Sequence, residues 1–197
     1  MVIVGSGIMA ENLTNDNAVR LLANTIATGA GLFVLITAFA NISGAHLNPF
    51  VSLSMYLTKR IKGKELLTFI PAQILGCLLG VMLANVFFEH SIIELSTKNR
   101  DGFHIFLSEI VATFGLIFII FATLKDGKTT VAACVATYIS AGYWFTSSTS
   151  FANPAVAIAR TFTDSFTGIN YLNTPTYIFA ELLGAIVAIY IIKRLIK

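Results

Sequence analysis

Two asparagine-proline pairs are the residues of this sequence whose types and setting could act directly on a solute. Asn48-Pro49 and Asn153-Pro154 each follow a polar stretch and precede a short apolar segment. Asparagine is among the best helix N-caps, and proline is favoured at the next position, where its missing N–H would have no intrahelical partner. Each pair therefore predicts the start of a short helix with an amide side chain at its tip.

An asparagine amide can cap a helix and still bind something else. Its oxygen accepts from the helix N-terminus, while its nitrogen keeps two N–H donors. Two such caps meeting head to head would offer donors to a water molecule or a hydroxyl group passing between them. Both positive helix ends would also point at one place, which would disfavour protons and metal cations there.

The two pairs lie in copies of one longer segment. Residues 42–58 align with residues 147–163, and both copies read Asn-Pro, one variable residue and then Val. The apolar segment after each copy repeats as well, as AQILG in the first half and AELLG in the second. The sequence therefore predicts one domain over residues 1–197, built from two related halves, residues 1–103 and 104–197.

The composition predicts that these helices lie in a membrane. The chain has 197 residues, of which 56% are hydrophobic and 12% charged, whereas a soluble domain usually carries about twice that charged fraction. Its mean hydropathy is +0.80. Strand-type alternation is absent, so the predicted fold class is an all-α membrane protein. Five apolar runs approach the ~20 residues that a spanning helix needs: residues 18–40, 66–88, 104–124, 129–147 and 175–193.

Basic residues predict the orientation of these spans. They cluster at residues 59–64, 125–128 and 193–197, each two crossings from the next, whereas the intervening loops carry mainly carboxylates. Basic residues at span ends favour the cytoplasmic side, so they are not expected to bind nucleic acid. One Asn-Pro segment then enters from the cytoplasm and the other from outside. Inverted halves of this kind place a shared site near the bilayer midplane.

The first half lacks a counterpart of the span at residues 104–124. Residues 1–10 are apolar and contain small glycines, like the end of a span, but they are too few to cross a membrane. With residue 11 expected outside, we expect the first span to be incomplete, through a truncated gene, a late start or a fragment. A signal peptide is a poorer interpretation because no basic leader or cleavage pattern is present.

Nothing in the sequence predicts catalysis, a cofactor or a metal site. Cys77 and Cys134 fall inside apolar runs, where cysteine acts as a small hydrophobe. The three histidines, His46, His90 and His104, are scattered, and no span carries paired carboxylates. We therefore do not expect an enzyme.

The two repeated segments resemble the signatures of a known family. Residues 43–49, SGAHLNP, and 150–155, SFANPA, resemble the first and second signatures of the aquaporin and aquaglyceroporin family, and the likeness extends from Val4 to Leu195. This resemblance implies six spans, two re-entrant half-helices and a homotetramer in lipid, in the inner or plasma membrane with a cytoplasmic carboxy terminus. It also implies passive passage of water or small neutral solutes, such as glycerol-like polyols or undissociated metalloid acids including arsenite.

The resemblance also assigns roles to residues. Glu109 matches a buried glutamate that supports the re-entrant loop, and His46 is expected to bond loop backbone. The pore motifs correspond to Asn48, Pro49, Phe50, Asn153, Pro154 and Ala155. The selectivity filter, the narrowest ring of the family's pore, maps by spacing to Thr28, Ala141, Ser150 and Val156.

This sequence departs from the family pattern at two of these positions. Phe50 stands where alanine is usual, so its ring either narrows the passage or packs behind it. Val156 stands where many members have arginine, which predicts a small, uncharged and wide filter, similar to bacterial members that pass glycerol-like solutes or arsenite. Arg160, one turn later, could supply a substitute charge, although a vestibule or helix-surface role is also open.

Two alternative functions remain. A non-conducting relic is possible because an incomplete first span would open the bundle to lipid. An inverted-repeat secondary transporter would need charged or ion-coordinating groups at the midplane, and few are present.

Overall fold

A computed structural model of the chain describes residues 1–195 and contains α-helices and short 3-10 turns, with no β-strand in this range. The all-α fold class is therefore confirmed. The helices are α1 (Val2–Leu13), α2 (Asn17–Phe39), α3 (Pro49–Leu57), α4 (Gly63–Phe87), α5 (Phe103–Thr123), α6 (Lys128–Phe145), α7 (Pro154–Ala159) and α8 (Thr174–Leu195). The 3-10 turns, Leu124–Asp126 and Arg160–Phe162, follow α5 and α7.

Four of the described helices, α2, α4, α5 and α8, are long and apolar enough to cross a membrane. The fifth predicted span corresponds to α6, which has 18 residues and begins with Lys128 and two threonines. Its hydroxyl-bearing side chains make it less apolar than the run at residues 129–147 suggested. Helix α1 is apolar but only 12 residues long. The chain is a membrane protein whose two shortest helices, α3 and α7, follow the Asn-Pro pairs.

Close helix packing depends on small residues where two helices meet. Helix α5 packs along α8, and α2 packs along α6. A Cβ atom on Gly184 of α8 would collide with the Ile110 carbonyl of α5, and one on Gly29 of α2 would collide with the Ser140 hydroxyl of α6. These glycines let the helix backbones approach closely, as small residues commonly do in membrane proteins.

Loops predicted to face outward lie together at one end of the bundle. The backbone N–H of Phe166 donates to Glu11 Oε2 at 2.6 Å, and that of Thr97 donates to Asp164 Oδ1 at 2.9 Å. Ser96 N also donates to the Thr161 carbonyl at 2.9 Å. These bonds connect the end of α1, the loop between α4 and α5, and the loop between α7 and α8.

Residues from the predicted cytoplasmic clusters also share a location. Lys59, Arg60 and Lys193 line one cavity of about 270 Å³, and the Arg60 guanidinium lies 5.5 Å from the centre of the Phe121 ring. Lys193 and Arg194 occupy the last turn of α8. Lys197, the last residue of this cluster, lies outside the described residues.

Candidate functional site

Both Asn-Pro pairs cap short helices in the same way. Asn48 is extended, with φ −158°, and its Oδ1 accepts from Phe50 N at 2.9 Å. Asn153 has the same φ, and its Oδ1 accepts from Ala155 N at 3.1 Å and from Val156 N at 3.4 Å. Pro49 and Pro154 are the first residues of α3 and α7. The preference for asparagine at the N-cap and for proline at the first helical position explains this geometry.

The two helix tips are joined to each other by reciprocal hydrogen bonds. Asn48 Nδ2 donates to the carbonyl oxygen of Ala152 at 2.7 Å. Asn153 Nδ2 donates to the carbonyl oxygen of Leu47 at 2.9 Å. Since an amide nitrogen carries two hydrogens, each asparagine has a second N–H beyond the one used in this pairing. The arrangement fixes both amides and leaves a donor on each side chain for a solute.

The loops before the tips hold residues in a costly backbone conformation. Ala45, Leu47, Thr149, Ser150 and Ala152 all have positive φ, between 47° and 65°. Such residues normally cost about 1–3 kcal/mol each and persist only where surrounding contacts impose them. Here the conformation turns the carbonyls of Leu47 and Ala152 toward the opposite motif, where they accept from the two asparagines.

Two buried glutamates hold the second loop. Glu109 accepts from Phe151 N at 2.9 Å and from Ala152 N at 2.8 Å, one bond to each carboxyl oxygen. Glu181 Oε1 accepts from Asn153 N at 2.9 Å. Three consecutive backbone N–H groups are thus satisfied by two side chains from α5 and α8, as expected of buried polar groups.

The first loop uses a different set of side chains. His46 Nδ1 lies 3.0 Å from the Ser52 hydroxyl oxygen, and Gln73 Nε2 donates to the same oxygen at 2.9 Å. His46 therefore contacts a side chain of α3 rather than the loop backbone that we expected. Gln73 occupies the position in the AQILG repeat that Glu181 occupies in AELLG. Sequence reasoning did not give Glu181 this role, although the repeat carried the signal.

The structure brings only part of the expected filter together. Thr28 and Ser150 are buried, Val156 is half-buried, and the Tyr143 hydroxyl donates to Thr28 Oγ1 at 3.3 Å. A Cβ atom on Gly142 would lie 2.7 Å from the Ser150 Cβ, so α6 approaches the loop at Gly142.

Ala141 lies on an exposed face of α6, unlike its buried neighbours Gly142 and Tyr143. It is exposed, as are Thr137 and Phe145, which are four residues before and after it on the same helix face. Tyr143, which spacing did not single out, is buried instead. Phe50 is half-buried and packs against the main apolar core.

Two arginines flank the ring of Phe151, which precedes the second motif. The Arg160 guanidinium lies 3.5 Å from the ring centre, and the Arg100 guanidinium lies 5.5 Å from it. Burial lowers the pKa of Arg100 and also that of Lys98, which the neighbouring Arg100 charge lowers further. Two guanidinium groups therefore lie beside the residue that precedes the second motif.

Comparison with known proteins shows which family shares this arrangement. Residues 1–144 match the family model described as Major intrinsic protein. The chain is 47% identical to aquaglyceroporin AqpS from Rhizobium meliloti over 195 residues, covering 99% of this chain and 84% of that protein. It is 27% identical to rat aquaporin-4 over 94% of this chain and 59% of the relative.

A solved structure shows the same fold. The aquaglyceroporin from Plasmodium falciparum superposes with a TM-score of 0.70, covering 99% of this chain and 90% of that one, at 22% identity. At that identity the likeness concerns the fold alone.

Proposed function

Because this chain belongs to the major intrinsic protein family, we propose that it is a passive membrane channel for water and small uncharged solutes. Glycerol-like polyols and undissociated metalloid acids such as arsenous acid are the solutes that we favour. The name of the similar Rhizobium protein, an aquaglyceroporin, supports a solute larger than water.

The reciprocal pairing of the two asparagines is the observation that carries this proposal. Asn48 and Asn153 hold each other's loops through one amide hydrogen and keep a second for other partners. A hydroxyl group passing these tips can exchange its hydrogen bonds with water for bonds to fixed donors. No covalent chemistry is needed, so a channel accounts for the site better than an enzyme does.

A filter without a large charged residue directly after the second motif supports a wide pore. Val156 follows Asn153-Pro154-Ala155 with an aliphatic side chain, and Thr28 and Ser150 are small. Phe50 packs against the core rather than standing free. We propose Thr28, Ser150 and Val156 as filter residues, with Gly142 and Tyr143 beside them; Ala141 remains a candidate by spacing.

The setting in a bilayer is part of the same proposal. We place the protein in the inner or plasma membrane, with the carboxy-terminal end of α8 in the cytoplasm and residues 1–103 and 104–197 as inverted halves. Support comes from the basic residues at helix ends and from large apolar side chains that face outward, including Leu67, Leu79 and Ile186. These exposed faces suit lipid and the neighbouring subunits of a homotetramer.

Swelling of proteoliposomes tests the function. Vesicles containing the protein should equilibrate faster than empty vesicles in water, glycerol and arsenite gradients, without an ion gradient. Dependence on a sodium or proton gradient would instead favour a secondary transporter. Rates equal to those of empty vesicles for all three solutes, with protein inserted and folded, would favour a non-conducting relic.

A further inference from the structure

Within residues 1–195, Arg160 is a buried cation without a carboxylate partner. Its side chain is 3% exposed, and the one ion pair found within residues 1–195 joins His90 to Glu94. Removing a charge from water is unfavourable unless hydrogen bonds or a counter-ion compensate. An unpaired buried arginine in a membrane protein therefore calls for an explanation other than packing.

The protein satisfies only part of the Arg160 guanidinium. Its Nε–H donates to the Thr167 carbonyl, and its face stacks on the Phe151 ring at 3.5 Å. A guanidinium has five N–H donors, and the two amino groups have no acceptor among the described residues. Neither amino nitrogen is among the fully buried atoms that lack a partner. These groups consequently reach accessible space, although the rest of the side chain is enclosed.

The position of Arg160 places this accessible space at the outer side of the motif. Asn153, Val156 and Arg160 are spaced three and four residues apart, so they follow one face of α7 and its 3-10 continuation. Thr167, which fixes the guanidinium, belongs to the loop between α7 and α8.

We infer that Arg160 is a specificity-determining residue of the proposed channel. It supplies, one turn beyond Val156, the positive charge that Val156 lacks. Its amino groups donate to the oxygen atoms of neutral, hydroxyl-bearing solutes, and its charge repels sodium ions and protons. The aliphatic Val156 leaves room for such solutes, while Arg160 keeps cations out. This inference rests on the proposed channel function.

Arg100 provides a matched comparison within the same structure. It also lies against Phe151, but its Nε donates to the Gly168 carbonyl at 2.8 Å and its Nη2 to the Phe166 carbonyl at 2.9 Å. Arg100 thus ties down the outer loop through two different groups of its guanidinium. Its removal should affect stability more than selectivity.

Charge and hydrogen bonding at Arg160 can be separated by two substitutions. In Arg160→Gln the amide nitrogen can still donate to the Thr167 carbonyl, but the charge is lost. Arg160→Lys retains the charge. Sodium and proton leak of proteoliposomes should rise about tenfold or more in Arg160→Gln, because a unit charge a few ångströms from the path acts strongly at an effective dielectric constant of ~20. Arg160→Lys should leak like the parent.

A double variant tests whether the positive charge excludes cations even if Arg160→Gln weakens folding. The double variant Val156→Arg/Arg160→Gln returns a positive charge one turn deeper and should restore exclusion of cations. Arg100→Gln should lower the melting temperature without raising the leak. The inference about Arg160 would be overturned if the parent passes glycerol or water and folded Arg160→Gln leaks no more cations than the parent. Equal leaks from Arg100→Gln and Arg160→Gln would do the same. A parent that passes no solute would instead overturn the channel proposal itself.

Discussion

Replacing Glu109 with glutamine should loosen the second loop and reduce solute flux. Glu109 accepts from Phe151 N at 2.9 Å and from Ala152 N at 2.8 Å. Glutamine keeps one acceptor oxygen and turns an NH₂ group toward the other backbone N–H, so one buried donor loses its partner. An unsatisfied buried N–H costs about 1–3 kcal/mol. Because the glutamine NH₂ also faces a backbone N–H, the total loss of unfolding free energy should be about 2–4 kcal/mol.

This energy predicts measurable changes in stability and in flux. For a chain of this size each kcal/mol shifts the melting temperature by ~2–4 °C, so Glu109→Gln should melt about 5–15 °C lower in detergent. Glycerol flux should fall as well, because Ala152 also provides the carbonyl that fixes Asn48 at 2.7 Å. Circular dichroism during heating and vesicle swelling would measure the two effects.

Thr113→Val is the control for this substitution. Thr113 lies one turn from Glu109 on α5, is fully buried, and has a hydroxyl without a partner among the described residues. Valine has a similar shape and removes no hydrogen bond, so this variant should melt at or above the parent temperature. If Glu109→Gln melted and conducted like Thr113→Val, the proposed support of the loop by Glu109 would be refuted.

Three further substitutions test the path, its width and its orientation. Asn153→Asp replaces the donor to the Leu47 carbonyl with an acceptor and should both lower glycerol flux and raise cation leak. If a folded variant has the same glycerol flux and cation leak as the parent, Asn153 only caps its helix. Val156→Arg adds bulk and should lower glycerol and arsenite flux more than water flux, whereas unchanged flux ratios would place the narrowest ring elsewhere. Single cysteines at Lys62 and Asp101, in a background without the native cysteines, should react with impermeant reagents from opposite sides, and labelling from one side would contradict the six-span scheme.

The helix starts could be predicted because they depend on adjacent residues. Asn48 and Asn153 cap their helices as N-cap statistics and the following prolines indicate. The repeat placed the two caps in equivalent settings, and charge patterning grouped the loops that the structure brings together. Fold class, family and channel function followed from these local and periodic signals.

Positions that depend on helix phase or tertiary contact were harder to predict. Spacing selected Ala141 and did not select Tyr143, which the rotation of α6 buries against Thr28; Ala141 stays an untested prediction. The repeat marked the position of Glu181, but its bond to Asn153 N depends on the packing of α8 against α7, which the repeat does not describe. The direction of Phe50 depends likewise on the core that surrounds α3.

Glycerol permeability of proteoliposomes containing the parent protein or Asn153→Asp, compared with empty vesicles, tests the central claim most directly. Shrinkage and re-swelling after a glycerol shock, followed by light scattering, give the rate for equal amounts of inserted, folded protein. We expect fast re-swelling for the parent and a rate near that of empty vesicles for the variant. Equal rates for the parent and for empty vesicles, or equally fast re-swelling for the parent and the variant, would contradict it.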